Sequence, residues 1–346
     1  MGNERRHADD LREAVRLLVQ ATTGVTDVVE DMHRHIASGP ALLGKPLALP
    51  TKVITGLAYG SVRGVTRFVG GTMDVVLEKL APFLGESAPG PERATLLAVL
   101  NGVLGDFLAE TKSPLAIPMR LVRTGDGRRV VVLIHGSSMH DGHWSWHGHH
   151  YGEALARDAG WSTAAVHYNS GLPVLENGRL LAAALDSLAD AEEIAIVGHS
   201  MGGLVARVAC QVAETEGHAW RKKLRTLVTL GTPHHGSPVE RVGNLIDLIL
   251  PLTGYSAPLA RLGKIRSAGV MDLRYGLDLP LPEGVVCHAV AAGKDFLVPI
   301  ESAHGPVPES HCTTIPGINH LDLLGNAEVY AVILRALGEK GVGCTP

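Results

Sequence analysis

The chain has 346 residues, 45% of them hydrophobic and 19% charged, which is ample for a globular core and more than one small domain needs. Its formal net charge of -4 disfavours nucleic acid as a partner, because binding to phosphates needs a basic surface. The start of the chain lacks the apolar core of a signal peptide, and no run of about 18 uncharged apolar residues predicts a membrane span. We therefore expect a cytoplasmic location.

Residues 1–112 carry apolar residues at helical spacing and predict an N-terminal helical region. The first helix, over about 11–36, places its apolar residues on one face by steps of three and four. Two more helices are predicted over about 51–83 and 91–110. One interpretation is a bundle that packs on the rest of the chain. The other is a surface that binds a membrane peripherally or self-associates.

From residue 113 to residue 346 the pattern changes to alternating strands and helices, which predicts a second domain. Short β-rich apolar runs predict buried strands at 129–135, 163–168, 194–197, 226–230 and 285–290. Helices are predicted at 177–189, 202–214 and 327–337. This alternation predicts an α/β fold with a mostly parallel sheet covered on both faces. Ligands of such sheets bind at the carboxyl ends of the strands.

The central chemical motif is Gly198-His199-Ser200-Met201-Gly202, between a predicted strand and a predicted helix. A serine in that position predicts a nucleophile elbow, a sharp turn that lifts the hydroxyl above the sheet edge. The turn requires small residues two positions before and after the serine, which Gly198 and Gly202 provide. The N–H of Met201 would then face a developing oxyanion. We predict Ser200 as the nucleophile.

A serine nucleophile needs a base, and the base needs an acid that orients it. In this kind of sheet the chain order is serine, acid, histidine. His320 lies in a loop before the last predicted helix and is the predicted base, with His311 and His304 as alternatives. Asp295 follows the run Val285–Ala292 directly after Gly293-Lys294, is the only carboxylate between residues 284 and 300, and is the predicted acid. Glu301 is the alternative acid.

A second oxyanion donor is expected in the loop after the first predicted strand. That loop reads His135-Gly136-Ser137-Ser138-Met139, and its glycine allows the backbone to bend. We predict the backbone N–H of Ser137 as the donor, with that of Ser138 as the alternative. The side chain of Ser137 is not needed for this role.

Residues 237–284 form an insertion before the last predicted strand. Its apolar residues crowd a short helix over about 242–252, and a helix that is apolar on most sides requires burial. A lid over the serine is one interpretation, and its opening would limit access by bulky or lipidic substrates. Plain core packing is the other.

Histidine is frequent in the run His140–His150, where imidazole and carboxylate groups could bind zinc. A loop at the rim of a pocket explains the same run without a metal, and we favour it. His199, beside the predicted nucleophile, is interpreted as a packing residue.

Four motifs together resemble the lipase-like α/β hydrolases, with the greatest similarity to bacterial lipases and the GPI inositol-deacylase-like branch. They are Ile134-His135-Gly136, Gly198–Gly203, Gly231-Thr232-Pro233-His234-His235-Gly236-Ser237 and Asn319-His320-Leu321. Tyr168-Asn169-Ser170-Gly171 and 176–179 also resemble bacterial members. The resemblance covers about 113–340 and implies an α/β-hydrolase fold, small-molecule or lipid ester substrates and no cofactor.

The same resemblance implies residue roles that agree with the prediction from the residues. It implies a triad of Ser200, Asp295 and His320, and an oxyanion hole built from the backbone N–H groups of Ser137 and Met201. It implies nothing for the N-terminal helices.

Overall fold

In a computed structural model of the chain, the structure describes residues 91–238 and 267–338. All of these residues belong to one compact unit. The helices predicted over 11–36 and 51–83 fall outside the described residues, and so does the apolar helix predicted over 242–252.

A single sheet of seven strands occupies the centre of the described unit. The strands are β1 Arg120–Thr124, β2 Arg129–Ile134, β3 Ser162–His167, β4 Glu193–His199, β5 Leu224–Leu230, β6 Val286–Ala292 and β7 Cys312–Ile315. Their order across the sheet is β1-β3-β2-β4-β5-β6-β7. β1 runs antiparallel to β3, whereas every other neighbouring pair is parallel. The predicted fold class, a mostly parallel α/β sheet, is confirmed.

The described unit contains helices before, between and after the strands. They are α1 Pro91–Glu110, α2 Tyr151–Ala159, α3 Val174–Ala184, α4 Met201–Glu216, α5 Ala268–Asp272, α6 Ile300–His304 and α7 Ala327–Gly338. α3 and α4 pack closely, since a Cβ on Gly178 would lie 2.2 Å from Cγ1 of Val208. Across residues 91–238 and 267–338, no helix combines the length and apolar character needed to cross a bilayer.

The central strands are buried along nearly their whole length. β2 is buried from Val130 to Ile134, and β4 from Ile194 to His199. Strands covered on both faces have no solvent side, so their apolar residues run on continuously instead of alternating. β1 lies at the edge and shows the opposite pattern, with alternately exposed and half-buried residues.

α1 belongs to the same compact unit as the sheet, although the sequence suggests the last helix of a separate region 1–112. The amide of Asn101, fully buried in α1, donates to the Leu115 carbonyl at 2.8 Å and accepts from the Ile117 N–H at 2.9 Å. These bonds fix α1 to the segment that leads into β1. For residues 1–90 the predicted separate region stays a prediction.

We expect the substitution Asn101→Ala to lower the free energy of unfolding by about 2–4 kcal/mol, because the buried Leu115 carbonyl and the half-buried Ile117 N–H lose their partner. Urea denaturation monitored by circular dichroism measures this change. Thr111→Ala, at an exposed position just after the same helix, is the control and should change stability by less than about 0.5 kcal/mol. Equal stability of the two variants would contradict the role of Asn101.

Candidate active site

The turn from β4 to α4 has the backbone of a nucleophile elbow. Ser200 lies at the turn with φ 52° and ψ −122°, a conformation that is strained for any residue with a Cβ. Its N–H donates to the carbonyl of Leu230 in β5 at 2.8 Å, which holds the strained residue in place. Met201 is the first residue of α4, where a backbone N–H has no acceptor within the helix.

The two glycines of the elbow are close to backbone atoms that leave no room for a side chain. A Cβ on Gly198 would lie 2.7 Å from the Cα of Gly203, and a Cβ on Gly202 would lie 2.3 Å from the Ile134 carbonyl oxygen. Real Cβ atoms do not approach backbone so closely. Both contacts come from the sharpness of the turn, so any larger residue would displace Ser200.

Asp295 and His320 form a buried hydrogen bond near the carboxyl ends of β6 and β7. His320 Nδ1 lies 2.7 Å from Asp295 Oδ2, and their side chains are 1% and 2% exposed. The other carboxylate oxygen accepts from the N–H groups of Leu297 at 2.8 Å and Val298 at 2.9 Å. Burial alone would raise the pKa of Asp295. The charge and hydrogen bond of His320, together with these N–H groups, outweigh burial and lower it.

The alternative histidines and the alternative acid have other environments. His304 Nε2 pairs with the hydroxyl of Thr314 at 3.1 Å, and His311 Nδ1 pairs with the carbonyl of Cys287 at 3.2 Å. Glu301 is exposed to solvent. Among these candidates the structure therefore brings together only Asp295 and His320.

His199 makes a specific contact that its interpretation as a packing residue misses. Its Nε2 donates to the backbone carbonyl of His320 at 3.1 Å, and the two rings lie 4.7 Å apart. Burial is the main cause that lowers the pKa of His199 well below its ordinary value, and the nearby His320 lowers it further. The ring therefore stays neutral.

Nε2 of His320 is buried and has no partner among the described residues. That nitrogen is available to accept a proton.

The loop after β2 lies against the elbow. A Cβ on Gly136 would be 3.1 Å from Cβ of Ser200, so the loop and the elbow are in close contact at this glycine. The N–H of Ser138 donates to Oγ of Ser170 at 2.9 Å and is therefore occupied. The N–H of Ser137 makes no hydrogen bond within the described part of the chain. Between the two predicted donors, the geometry favours Ser137.

The Gly231–Ser237 segment, noted in the sequence without a role, contacts His320 and the loop that follows Asp295. A Cβ on Gly231, which has φ +56°, would lie 3.0 Å from the imidazole of His320. At the other end of the segment, the hydroxyl of Ser237 donates to the Leu297 carbonyl, two residues after Asp295. The segment thus contacts both the histidine loop and the aspartate loop.

The histidine-rich run after the oxyanion loop has a structural explanation. Nδ1 of His140 accepts from the Gly142 N–H at 3.1 Å and caps the 3₁₀ segment Asp141–Gly148. The hydrogen bonds of His140 and His167 lower the pKa of the Asp141 carboxyl. Among the residues that the structure describes, no three His, Cys, Asp or Glu side chains converge on one point as metal ligands would.

Gly202→Ala should destabilise the protein by about 1–3 kcal/mol, because its methyl group would overlap the Ile134 carbonyl. Thermal unfolding measures the loss. Gly338→Ala provides a matched control at the end of α7, where a Cβ would meet nothing within 4 Å. If both variants melt at the wild-type temperature, the elbow is looser than described.

Asp295→Asn should make the stability of the protein depend less on pH below about pH 6. The lowered pKa of Asp295 means that its contribution to stability is complete above its unfolded pKa of about 3.9 and is lost as the pH falls through the folded value. Urea midpoints at pH 6 and pH 3 should therefore differ less for the variant than for the wild type. Asp126→Asn, at an exposed turn, controls for the loss of one carboxylate. An unchanged pH dependence in Asp295→Asn would contradict the assignment.

The strand order, the single antiparallel strand β1 and the sharp turn between β4 and α4 together define a fold class. The chain has the α/β-hydrolase fold.

Part of the chain matches a known family model and curated relatives. Residues 150–261 match the family model described as a PGAP1-like alpha/beta domain. A GPI inositol-deacylase of Coccidioides immitis is 27% identical over 162 residues, which is 44% of this chain and 13% of that protein. The enzyme of the same name from Phaeosphaeria nodorum is 29% identical over 161 residues, 43% of this chain and 14% of that protein. The chain thus matches only a small part of the length of these relatives.

Solved structures similar to part of this chain include a lipase and an esterase. The mature lipase BlEst2 of Bacillus licheniformis has a TM-score of 0.47 and 18% identity, and the match covers 63% of this chain and 97% of that one. A thermophilic esterase from Thermogutta terrifontis has a TM-score of 0.45 and 19% identity, over 65% of this chain and 95% of that one.

Proposed function

We propose that this protein is a serine hydrolase that cleaves carboxylic esters through an acyl-enzyme intermediate. Ser200 is the nucleophile, His320 the general base and Asp295 the acid that orients the imidazole. The observation that carries the proposal is the buried 2.7 Å hydrogen bond between His320 Nδ1 and Asp295 Oδ2, which leaves Nε2 of His320 without a partner among the described residues. The strained backbone at Ser200 supports it.

In the first half of the reaction, Nε2 of His320 takes the proton of the Ser200 hydroxyl while Oγ attacks the ester carbonyl carbon. Nδ1–H of the imidazole remains bonded to Asp295, so the charged imidazolium forms next to a carboxylate. The tetrahedral intermediate collapses when the bond to the alcohol oxygen breaks, and His320 returns the proton to that alcohol. The acyl group stays on Ser200.

In the second half, His320 removes a proton from water, and the hydroxide oxygen attacks the acyl-enzyme carbonyl. Collapse of this intermediate releases the carboxylic acid and returns the proton to Ser200. In both halves the oxyanion accepts hydrogen bonds from the N–H groups of Ser137 and Met201. Removal of one such donor typically slows turnover by about 10²–10³.

The names of the curated relatives support an ester formed by an acyl group and a hydroxyl. GPI inositol-deacylase denotes removal of an acyl group from inositol. We therefore place the substrate among small-molecule or lipid esters of hydroxylated compounds, with no cofactor in the reaction. A lid over 237–284, a peripheral membrane or self-association role for the N-terminal helices, and a cytoplasmic location stay predictions.

Ser200→Ala should lower the turnover of p-nitrophenyl acetate by about 10⁴–10⁶, because the nucleophile is lost while the fold is kept. The variant should also resist labelling by a fluorophosphonate probe. Ser187→Ala, whose exposed hydroxyl donates to the Ala184 carbonyl, is the matched control and should retain wild-type rates. Undiminished hydrolysis by Ser200→Ala would refute the mechanism.

Assays of the wild-type protein with other substrates separate the alternative functions. Thioester or amide substrates, or an added alcohol as acyl acceptor, distinguish a thioesterase, an amidase or an acyltransferase by the product that accumulates. A wild-type protein that neither hydrolyses esters nor reacts with the fluorophosphonate would be a non-catalytic scaffold with this fold.

A further inference from the structure

The segment Tyr168-Asn169-Ser170-Gly171 follows β3 and takes no direct part in the proposed reaction. Its four residues are nonetheless buried, with Tyr168 and Ser170 each 1% exposed. Both of these side chains make hydrogen bonds to the backbone of the loop that carries the predicted oxyanion donor, residues 135–139. This oxyanion loop is adjacent to Ser200 through Gly136.

Tyr168 and Ser170 bond to the loop on opposite sides of Ser137. The Tyr168 hydroxyl donates to the carbonyl of His135 at 2.7 Å, and its ring stacks on the His135 imidazole with centroids 4.5 Å apart. Oγ of Ser170 accepts from the N–H of Ser138 at 2.9 Å. The backbone is therefore fixed two residues before Ser137 and one residue after it.

The bond from Ser138 to Ser170 stabilises an unfavourable backbone conformation. Ser138 has φ +59°, in the left-handed region that residues with a Cβ avoid. Ser138 and Ser170 are both buried, so water does not replace Oγ as the acceptor if the hydroxyl is removed. Without that acceptor, the left-handed turn loses the interaction that opposes its relaxation.

The peptide on the other side of Ser137 is oriented by His135. Nδ1 of the imidazole donates to the carbonyl oxygen of Gly136 at 2.9 Å. In a trans peptide the C=O and the following N–H point in opposite directions, so this bond turns the Ser137 N–H away from the ring. Burial lowers the pKa of His135 to about 3, so the ring keeps one proton, on Nδ1, at neutral pH.

We propose that Ser170, together with Tyr168, is a positioning residue of the oxyanion hole: its hydroxyl holds Ser138 in the left-handed turn that presents the Ser137 N–H to the substrate oxyanion. The inference rests on the proposed ester hydrolysis. It requires an effect on the transition state that is larger than any effect on substrate binding, because the oxyanion exists only after attack.

The test compares kcat, KM and inhibitor binding in the full-length protein. For Ser170→Ala we expect kcat for p-nitrophenyl acetate to fall about ten-fold, less than the 10²–10³ typical of losing a donor outright, with KM within about two-fold of wild type. The inhibition constant of phenylboronic acid, which forms a tetrahedral adduct with the serine, should rise by about the same factor as kcat falls. Active sites are counted by fluorophosphonate labelling, so that kcat refers to functional enzyme.

Two further variants make the result specific. Ser162→Ala removes a buried hydroxyl at the opposite end of β3 and should leave kcat unchanged. Tyr168→Phe keeps the ring stacked on His135 and loses only the hydrogen bond to the loop, so it should also lower kcat. It decides the question if Ser170→Ala does not fold.

Wild-type kcat and boronate binding in folded Ser170→Ala and Tyr168→Phe would overturn the inference and leave the proposed hydrolase intact. A rise in KM in both variants with unchanged kcat would overturn the inference as well, because this result would indicate a role in substrate binding. A wild-type protein without esterase activity and without labelling would overturn the proposed function itself.

Discussion

The hydrogen bond between His320 and Asp295 imposes the strictest constraint on this molecule. A carboxylate and an imidazole that are both withdrawn from water need partners for nearly all of their polar atoms. The loops that carry them are therefore joined, with the Gly293 N–H bonded to the Ile315 carbonyl at 2.8 Å and the Lys294 N–H bonded to the Ile318 carbonyl at 2.9 Å. The geometry of the pair is thus set before any substrate arrives.

Those parts of the fold that obey a local pattern could be predicted from the sequence. β2 and β4 are nearly continuous apolar runs, because strands that are covered on both faces have no solvent side. β1 lacks such a pattern, because it is an edge strand that contains Arg120 and Arg123. Its composition also does not indicate that it pairs antiparallel with β3. β7 has only four residues and is only partly buried, which is too short a run to recognise.

The candidate site also has residues that the sequence predicts and contacts that it does not predict. Ser200, Asp295 and His320 are candidates from the sequence alone because of their chain order and their positions after predicted strands, and the structure joins Asp295 to His320. Their supporting contacts could not be predicted, since they join loops far apart in the chain. His199 bonds to the backbone of a residue 121 positions later, and with 18 histidines in the chain no spacing singles it out. Ser170 and Ser138, 32 positions apart, present the same difficulty.

The contacts of α1 tie the beginning of the described unit to its later part. The hydroxyl of Ser267 donates to the carbonyl of Gly102, 165 positions earlier, and the Ala268 N–H donates to the carboxylate of Asp106. Gly102 also lies against Ser138, where a Cβ would be 2.8 Å from the Cα. Contacts of such large sequence separation form late, because loop closure must precede them. During synthesis α1 therefore completes its docking only after residues 267 and 268 have been made, and its packing against the loop at Ser138 is complete only then.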